Sequence, residues 1–205
     1  MSEEITVFVV DDDEGVRESL RWLLESAELK SQLHSDGEDF LARYLPHTLG
    51  CVLLDVRMPR MDGLEVNRRL HAIDPDIPVI VVTGHADVPM ATQAMREGAF
   101  DLIEKPYTDD HLLERIQAAV DQHRQKRDET QQHRDAHSIW TSLTQREIEI
   151  LEYVFNGKTN RETAGELGIS IKTVELHRAN LMKKLGAGGT ADLVRITAEL
   201  KLLDF

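Results

Sequence analysis

ITVFVVDDD, residues 5–13, places three consecutive carboxylates directly after an apolar run that is typical of a buried strand. Apolar runs of the same kind follow at 51–56 and 79–83, and weaker candidates lie at 29–34 and 100–104. Helical patterns separate these runs, and regular strand–helix alternation indicates a parallel sheet with helices on both faces. The sequence therefore predicts an α/β doubly wound, (βα)5 domain with a five-stranded parallel sheet. In such a sheet the functional site lies outside the carboxyl ends of the strands.

The carboxyl ends of these predicted strands carry polar side chains. Asp11 to Asp13 follow the first run, and Asp55 ends the third. An N-cap at the next helix explains one or two acids after the first strand, but it does not explain Asp55. Several carboxylates on one rim repel one another unless a cation lies between them, and Mg²⁺ accepts few carboxylates while keeping waters. Thr83 and Lys105, at the ends of the fourth and fifth runs, complete a set suited to holding a phosphoryl group.

The net charge of −13 is confined to the first part of the chain. Residues 1–124 hold 25 acidic and 12 basic side chains, whereas 125–138 hold three of each and 139–205 hold nine of each.

Apolar runs such as 7–10 are far shorter than the roughly 18 residues that a membrane span needs, and no export signal precedes them. A single cysteine, Cys51, excludes a disulfide framework and an all-cysteine metal site. We therefore expect a cytoplasmic protein with no membrane partner.

The chain divides into three segments by composition. We predict a first domain at 1–124, a polar linker at 125–138 and an all-α four-helix domain at 139–205. The linker is rich in good helix formers, so we expect it to extend the preceding helix, and a flexible tether is the alternative. The second domain shows no strand signal, and its helical patterns lie at about 144–156, 159–167, 171–185 and 190–201.

The second domain contains two helical patterns that are joined by a short turn, as in a helix-turn-helix. Gly168 ends the first of them, and Ser170 caps the second. Residues 158–184 carry a net charge of +3. Basic residues on a helix usually form an ordinary solvated face, but a basic outer face on the second helix of such a motif favours DNA binding. The helix that precedes the motif is expected to bury one stripe, formed by Ile148, Leu151 and Phe155.

Four segments of the first domain resemble the receiver domain of two-component response regulators. They are VVDDDEGVRESL (9–20), LLDVRMPRMDG (53–63), VVTG (81–84) and IEKPY (103–107). The resemblance implies that Asp55 accepts a phosphoryl group. It also implies a Mg²⁺ site whose ligands are Asp11, Asp12, Asp55 and the backbone carbonyl of Arg57.

The same resemblance implies roles for the remaining rim residues. Thr83 would bond a phosphoryl oxygen, and Lys105, aimed by a cis bond to the next residue, would pair with the acyl phosphate. Arg57 and His85 either flank the phosphoryl group or face solvent. The family usually carries an aromatic residue three positions before the lysine, where this chain has Leu102. A conformational signal would therefore use Leu102 or another element.

The second domain, through LTQREIEIL (143–151) and GISIKTVELHRANLMKKL (168–185), resembles the LuxR-type (NarL/FixJ) helix-turn-helix. The resemblance implies that 171–185 is the recognition helix in the major groove and that 190–201 is a dimerisation helix. Phosphate contacts are expected from Lys172, Thr173, Arg178 and Lys183. Candidate base contacts are Glu175, Leu176 and Ala179.

These features together favour a phosphorylation-dependent transcriptional regulator that resembles the FixJ branch. A sensor histidine kinase would phosphorylate Asp55, the receiver would form a homodimer through 87–120, and the dimer would bind double-stranded promoter DNA, with RNA polymerase as a further candidate partner. The receiver would catalyse only its own phosphotransfer and dephosphorylation. Docking of the acidic receiver on the basic surface could also hold the DNA-binding domain inactive. Two alternatives stay open: a DNA-binding regulator controlled independently of phosphorylation, and a phosphatase that acts on other substrates.

Overall fold

The structure is a computed structural model that describes residues 4–84, 88–200 and 202. The chain divides into two compact units, Met1–Arg127 and Asp128–Phe205. The first unit alternates strands and helices: β1 (Thr6–Val10), α1 (Glu14–Ser26), β2 (Lys30–His34), α2 (Gly37–Arg43), β3 (Gly50–Asp55), α3 (Gly63–Ile73), β4 (Val79–Thr83), α4 (Val88–Arg96), β5 (Asp101–Glu104) and the beginning of α5 (Asp109–Ser142). The second unit contains the end of α5 and then α6 (Gln145–Phe155), α7 (Asn160–Leu167), α8 (Ile171–Leu185) and α9 (Thr190–Glu199).

The five strands form one parallel sheet in the order β2-β1-β3-β4-β5, which confirms the predicted fold class. Strand β1 lies between β2 and β3, so the chain winds outward from β1 in two directions. The ends of β1 and β3 therefore flank the switch point of the sheet, where open α/β sheets place their ligand sites.

Two apolar layers cover the sheet because side chains alternate between its faces along each strand. Phe8 and Val10 of β1 lie in one layer, together with buried side chains of α2, α3 and α4. Val7 and Val9 lie in the other layer, against α1 and α5. Cys51 is fully buried in this second layer, and burial raises the pKa of its thiol to about 12.

Helix α5 runs without interruption from the first unit into the second, so residues 125–138 are helical. Its N-terminal part contributes Leu112 and Ile116 to the core against the sheet. Near its other end, Ala136 is buried in the core of the second unit. No helix in the described part of the chain is long and apolar enough to cross a membrane.

Helix α6, which precedes the helix-turn-helix, is capped at its start and buries one face in the second unit. Thr144 and Glu147 form a capping box at the start of α6. The inward face of α6 consists of Ile150, Leu151 and Val154, whereas Phe155 is 41% exposed. The prediction that Phe155 belongs to the buried stripe was therefore wrong. The buried face is formed by Ile150 and the residues one and four positions after it, and Phe155 lies at the edge of that face.

Candidate functional site

The carboxyl ends of β1 and β3 bring two buried carboxylates, Asp11 and Asp55, to the same edge of the sheet. Asp11 Oδ1 accepts a hydrogen bond from the Asp13 backbone N–H at 2.9 Å, and the Asp11 carbonyl accepts one from Arg17 at 2.8 Å. Asp13 has a different role, because its carboxylate accepts from two backbone N–H groups in the first turn of α1 and caps that helix. The N-cap interpretation therefore applies to Asp13, and Asp11 belongs to the rim.

Lys105 joins the two buried carboxylates. Its Nζ lies 2.9 Å from Asp11 Oδ2 and 2.9 Å from Asp55 Oδ1. Burial alone would lower the pKa of Lys105, but its hydrogen bonds to the two carboxylates and their charges outweigh burial, and its pKa is raised. The peptide bond between Lys105 and Pro106 is cis.

The second carboxylate oxygen of Asp55 is also fixed. Asp55 Oδ2 accepts a hydrogen bond from the Arg57 backbone N–H at 2.7 Å. Helix α3 begins directly against this segment, since a Cβ atom at Gly63 would lie only 2.2 Å from the Asp55 carbonyl oxygen. The lack of a side chain at Gly63 thus lets α3 begin close to the backbone of Asp55, a requirement that was not predicted from the sequence.

Thr83 completes the rim at the end of β4, and Leu102 lies inside β5, three residues before Lys105. Thr83 is fully buried, and its carbonyl accepts a hydrogen bond from the Lys105 backbone N–H at 2.7 Å. Leu102 pairs with Val81 in the strand ladder and packs against the core formed with α2, α3 and α4. An aliphatic side chain therefore occupies the position where an aromatic residue is usual. His85, and Asp87 of the predicted dimer surface, lie outside the described residues.

The rim has the donor chemistry that Mg²⁺ prefers. Asp11 and Asp55 present oxygens to one Lys105 nitrogen, and Mg²⁺ is commonly held through one or two carboxylates with several waters. Asp12 adds an exposed carboxylate next in sequence. Within residues 4–84, 88–200 and 202, no three His, Cys, Asp or Glu side chains already converge as a metal-binding group. The residues present fit a hydrated Mg²⁺ ion rather than a fully protein-enclosed one.

Removing the Lys105 charge is expected to destabilise the first unit. In Lys105→Met the buried Asp11 and Asp55 carboxylates lose the cation between them, and we expect a loss of about 1–3 kcal/mol in unfolding free energy, less than for a fully buried pair because Lys105 is partly exposed. Urea denaturation measures this loss, and Mg²⁺ should recover part of it. Lys30→Met is the control, because the Lys30–Glu4 pair is exposed and contributes little. Equal losses in the two variants would contradict the bridging role of Lys105.

Helix α8 presents a largely polar outer surface in the second unit. Val174, Leu181 and Leu185 are buried, whereas Leu176 is 61% exposed. Four predicted DNA contacts are likewise exposed: Lys172, Glu175, Ala179 and Lys183.

The other two predicted DNA contacts are half-buried and already hydrogen-bonded. Thr173 Oγ1 lies 2.7 Å from Ser170 Oγ at the helix start. The Arg178 guanidinium donates to Thr190 Oγ1 at 3.0 Å, which links α8 to the first turn of α9. Sequence reasoning missed a third link, from Lys184 to the buried Glu147 carboxylate at 2.7 Å. The Lys184 charge therefore anchors α8 to α6.

Comparison with known proteins assigns both units. Residues 7–117 match the response regulator receiver domain, and residues 141–197 match the bacterial regulatory proteins of the luxR family. The chain belongs to the response regulators. It is 39% identical over 199 residues to the response regulator protein TmoT of Ectopseudomonas mendocina, covering 97% of this chain and 90% of that protein.

Two further relatives support this assignment across both domains. The transcriptional regulatory protein FixJ of Azorhizobium caulinodans is 40% identical over 96% of this response regulator and 93% of its own length. The solved structure of the response regulator StyR is 38% identical, with a TM-score of 0.87 over 96% of this chain and 99% of that chain. The protein is thus a NarL/FixJ response regulator with a receiver and a LuxR-type DNA-binding domain, an architecture for phosphorylation-dependent regulation of transcription.

Proposed function

We propose that Asp55 accepts a phosphoryl group from a sensor histidine kinase and that this modification promotes dimerisation and promoter binding. The observation that carries the proposal is the Lys105 ammonium, which bridges the buried Asp11 and Asp55 carboxylates at the switch point of the sheet. In the same chain, α8 presents an exposed basic and apolar surface. We also propose 1–124 and 139–205 as the functional domains, joined by 125–138, in a cytoplasmic protein.

The hydrogen bonds of Asp55 support the transfer step that we propose. Its carboxylate oxygen attacks the phosphorus of a phosphohistidine, an O–P bond forms, and the N–P bond to the imidazole breaks. Arg57 N–H and Lys105 Nζ each hold one Asp55 oxygen, so the carboxylate is oriented before the reaction. Lys105 then stays beside the acyl phosphate and stabilises its charge.

Mg²⁺ would be held by Asp11, Asp12, Asp55 and the backbone carbonyl of Arg57, and it would supply charge neutralisation between the two anions. Thr83, buried at the end of β4, would donate its hydroxyl to a phosphoryl oxygen. Hydrolysis of the acyl phosphate by water resets the protein, so the receiver catalyses only its own phosphotransfer and dephosphorylation. It has no other substrate in this proposal.

We propose that the α8 surface binds the major groove of promoter DNA. Lys172, Thr173, Arg178 and Lys183 would contact phosphates and set the register of the helix. Leu176 is exposed where it could contact a thymine methyl group, Glu175 could accept from a cytosine amino group, and Ala179 lies on the same surface. A dimer would place two such helices on half-sites about one helical turn apart. Contact with RNA polymerase would be added if the bound regulator activates transcription.

Size-exclusion light scattering with beryllofluoride and Mg²⁺ tests the proposal, since beryllofluoride stands in for the phosphoryl group on Asp55. We expect the mass to double and the affinity for promoter DNA to rise about tenfold or more. Fluorine NMR reports separately whether beryllofluoride is bound. Bound beryllofluoride with unchanged mass and unchanged DNA affinity would favour control that is independent of phosphorylation.

A further inference from the structure

The first residue of β3, Gly50, lies beyond the end of the neighbouring strand β4. Pairing between these strands begins at Val52, which lies opposite Val79, and the Val52 N–H donates to the carbonyl of Pro78. Alternate residues of a strand direct their N–H and C=O groups to the same neighbouring strand. The groups of Gly50 therefore point to the same side as those of Val52, but β4 begins too late to pair with them. Buried backbone groups in this position require another partner.

His123 of α5 is the partner of the Gly50 carbonyl. Its Nδ1 lies 2.9 Å from the Gly50 carbonyl oxygen and 3.3 Å from the Gly50 nitrogen, across 73 residues of sequence. The shorter distance fits an Nδ1–H group that donates to the carbonyl. The ring is only 1% exposed, and burial is the main reason that the pKa of His123 is lowered. A neutral imidazole therefore joins α5 to the central strand.

This hydrogen bond is a directional contact between α5 and β3. Helix α5 also contacts the sheet through apolar side chains such as Leu112 and Ile116, which exclude water but are not directional, and through the Arg115–Asp101 ion pair with β5. The position of Gly50 is itself constrained, since a Cβ there would lie 1.7 Å from the Thr6 carbonyl oxygen. The His123–Gly50 contact thus ties α5 to the beginning of the central strand β3, whereas the Arg115 ion pair ties it to β5.

Strand β3 and helix α5 connect this contact to both functional parts of the chain. Gly50 begins β3, and Asp55 ends the same six-residue strand. Helix α5 continues beyond His123 and contributes Ala136 to the core of the second unit. A structural change at Asp55 can be transmitted along β3 to α5 only if α5 is held to that strand.

We propose that His123 is a positioning residue that holds α5 to β3 and so couples the state of Asp55 to the helix that enters the DNA-binding unit. This inference rests on the proposed function, because it requires a modification at Asp55. His123 takes no part in the phosphoryl chemistry itself, since it lies at the opposite end of β3. Its loss should leave beryllofluoride binding intact and reduce the response to it.

The test compares full-length wild type with His123→Asn and His123→Leu. Asn carries an N–H donor at about the distance of Nδ1, whereas Leu fills the space without a donor. For each protein, promoter affinity is measured with and without beryllofluoride and Mg²⁺, and fluorine NMR measures occupancy of Asp55. We expect His123→Leu to reduce the ratio of the two affinities about fivefold, because one hydrogen bond is lost. His123→Asn should keep this ratio within about twofold of the wild-type value.

The possible outcomes separate the two proposals. If beryllofluoride does not bind wild type, the proposed function fails. If it binds, and the Leu variant is folded by thermal unfolding yet keeps the wild-type ratio, the positioning role is wrong. Equal losses in the Leu and Asn variants would also overturn it, because the donor would then be irrelevant. If His123→Leu does not fold, His123→Gln takes its place in the comparison. The Gln amide lies one carbon further from the backbone than the Asn amide, so it should not restore the wild-type ratio of the two affinities.

Discussion

Asp55→Asn is expected to abolish phosphoryl transfer while leaving the fold intact. An amide lacks the negative charge and the nucleophilic oxygen of the carboxylate, so no acyl phosphate forms, and labelling by a phosphorylated kinase should fall by at least about 100-fold. The fold should persist because Asn has nearly the size and shape of Asp: its single amide oxygen can accept from the Arg57 N–H, and Lys105 Nζ keeps its contact with Asp11. Transfer of radiolabelled phosphate measures the loss, and DNA affinity should no longer respond to the kinase.

Asp62→Asn is the matched control for this prediction. Asp62 caps α3 by accepting from the Glu65 backbone N–H, and Asn caps helices equally well. It lies seven positions after Asp55 and outside the proposed site. If Asp55→Asn were phosphorylated and activated like the control, Asp55 would not be the acceptor and the phosphorylation switch would have to be relocated.

Leu181→Ala is expected to unfold much of the DNA-binding unit without silencing the receiver. Leu181 is fully buried in the core of that unit, and truncating such a leucine costs about 2–5 kcal/mol. A small domain has little more stability than this, so promoter affinity should fall at least about tenfold. The first unit has its own cores, and its beryllofluoride binding should be unchanged. Denaturation, DNA binding and fluorine NMR measure the three effects.

Leu176→Ala, on the same helix, is expected to affect DNA binding without affecting stability. Leu176 is largely exposed, so its truncation should change the unfolding free energy by less than about 0.5 kcal/mol. Its removal should nevertheless weaken binding to the preferred promoter more than to unrelated DNA, because base contacts carry the specificity. Similar stability losses in the two leucine variants would mean that α8 does not pack as described.

The strand and helix patterns of the first domain were predictable because local periodicity and chain topology determine them. The alternation of apolar runs and helical patterns along residues 1–124 predicts a parallel sheet, and parallel strands place their carboxyl ends at one edge. That rule alone brings Asp11 and Asp55 together. It cannot distinguish Asp11 from Asp13, because the three aspartates are consecutive and only the start of α1 decides which carboxylate caps the helix.

Specific side-chain hydrogen bonds between distant segments were not predictable from the sequence. His123 and Gly50 are far apart in the chain, and nothing in either segment marks the other as its partner. The placement of Phe155 failed for a related reason, since several stripes of α6 are apolar and only packing against its neighbours selects one. The bridging position of Lys105 likewise depends on where β5 ends relative to β1 and β3.

Burial of the single native thiol, Cys51, makes the protein a ready host for site-specific labels. A thiol with a pKa of about 12 and no exposed surface carries almost no thiolate at neutral pH, and the thiolate is the form that reacts with maleimides and methanethiosulfonates. A cysteine introduced at an exposed position would therefore react alone. Pairs of spin labels or fluorophores can be attached to the native background, and distances between receiver and DNA-binding domain can be followed as beryllofluoride is added.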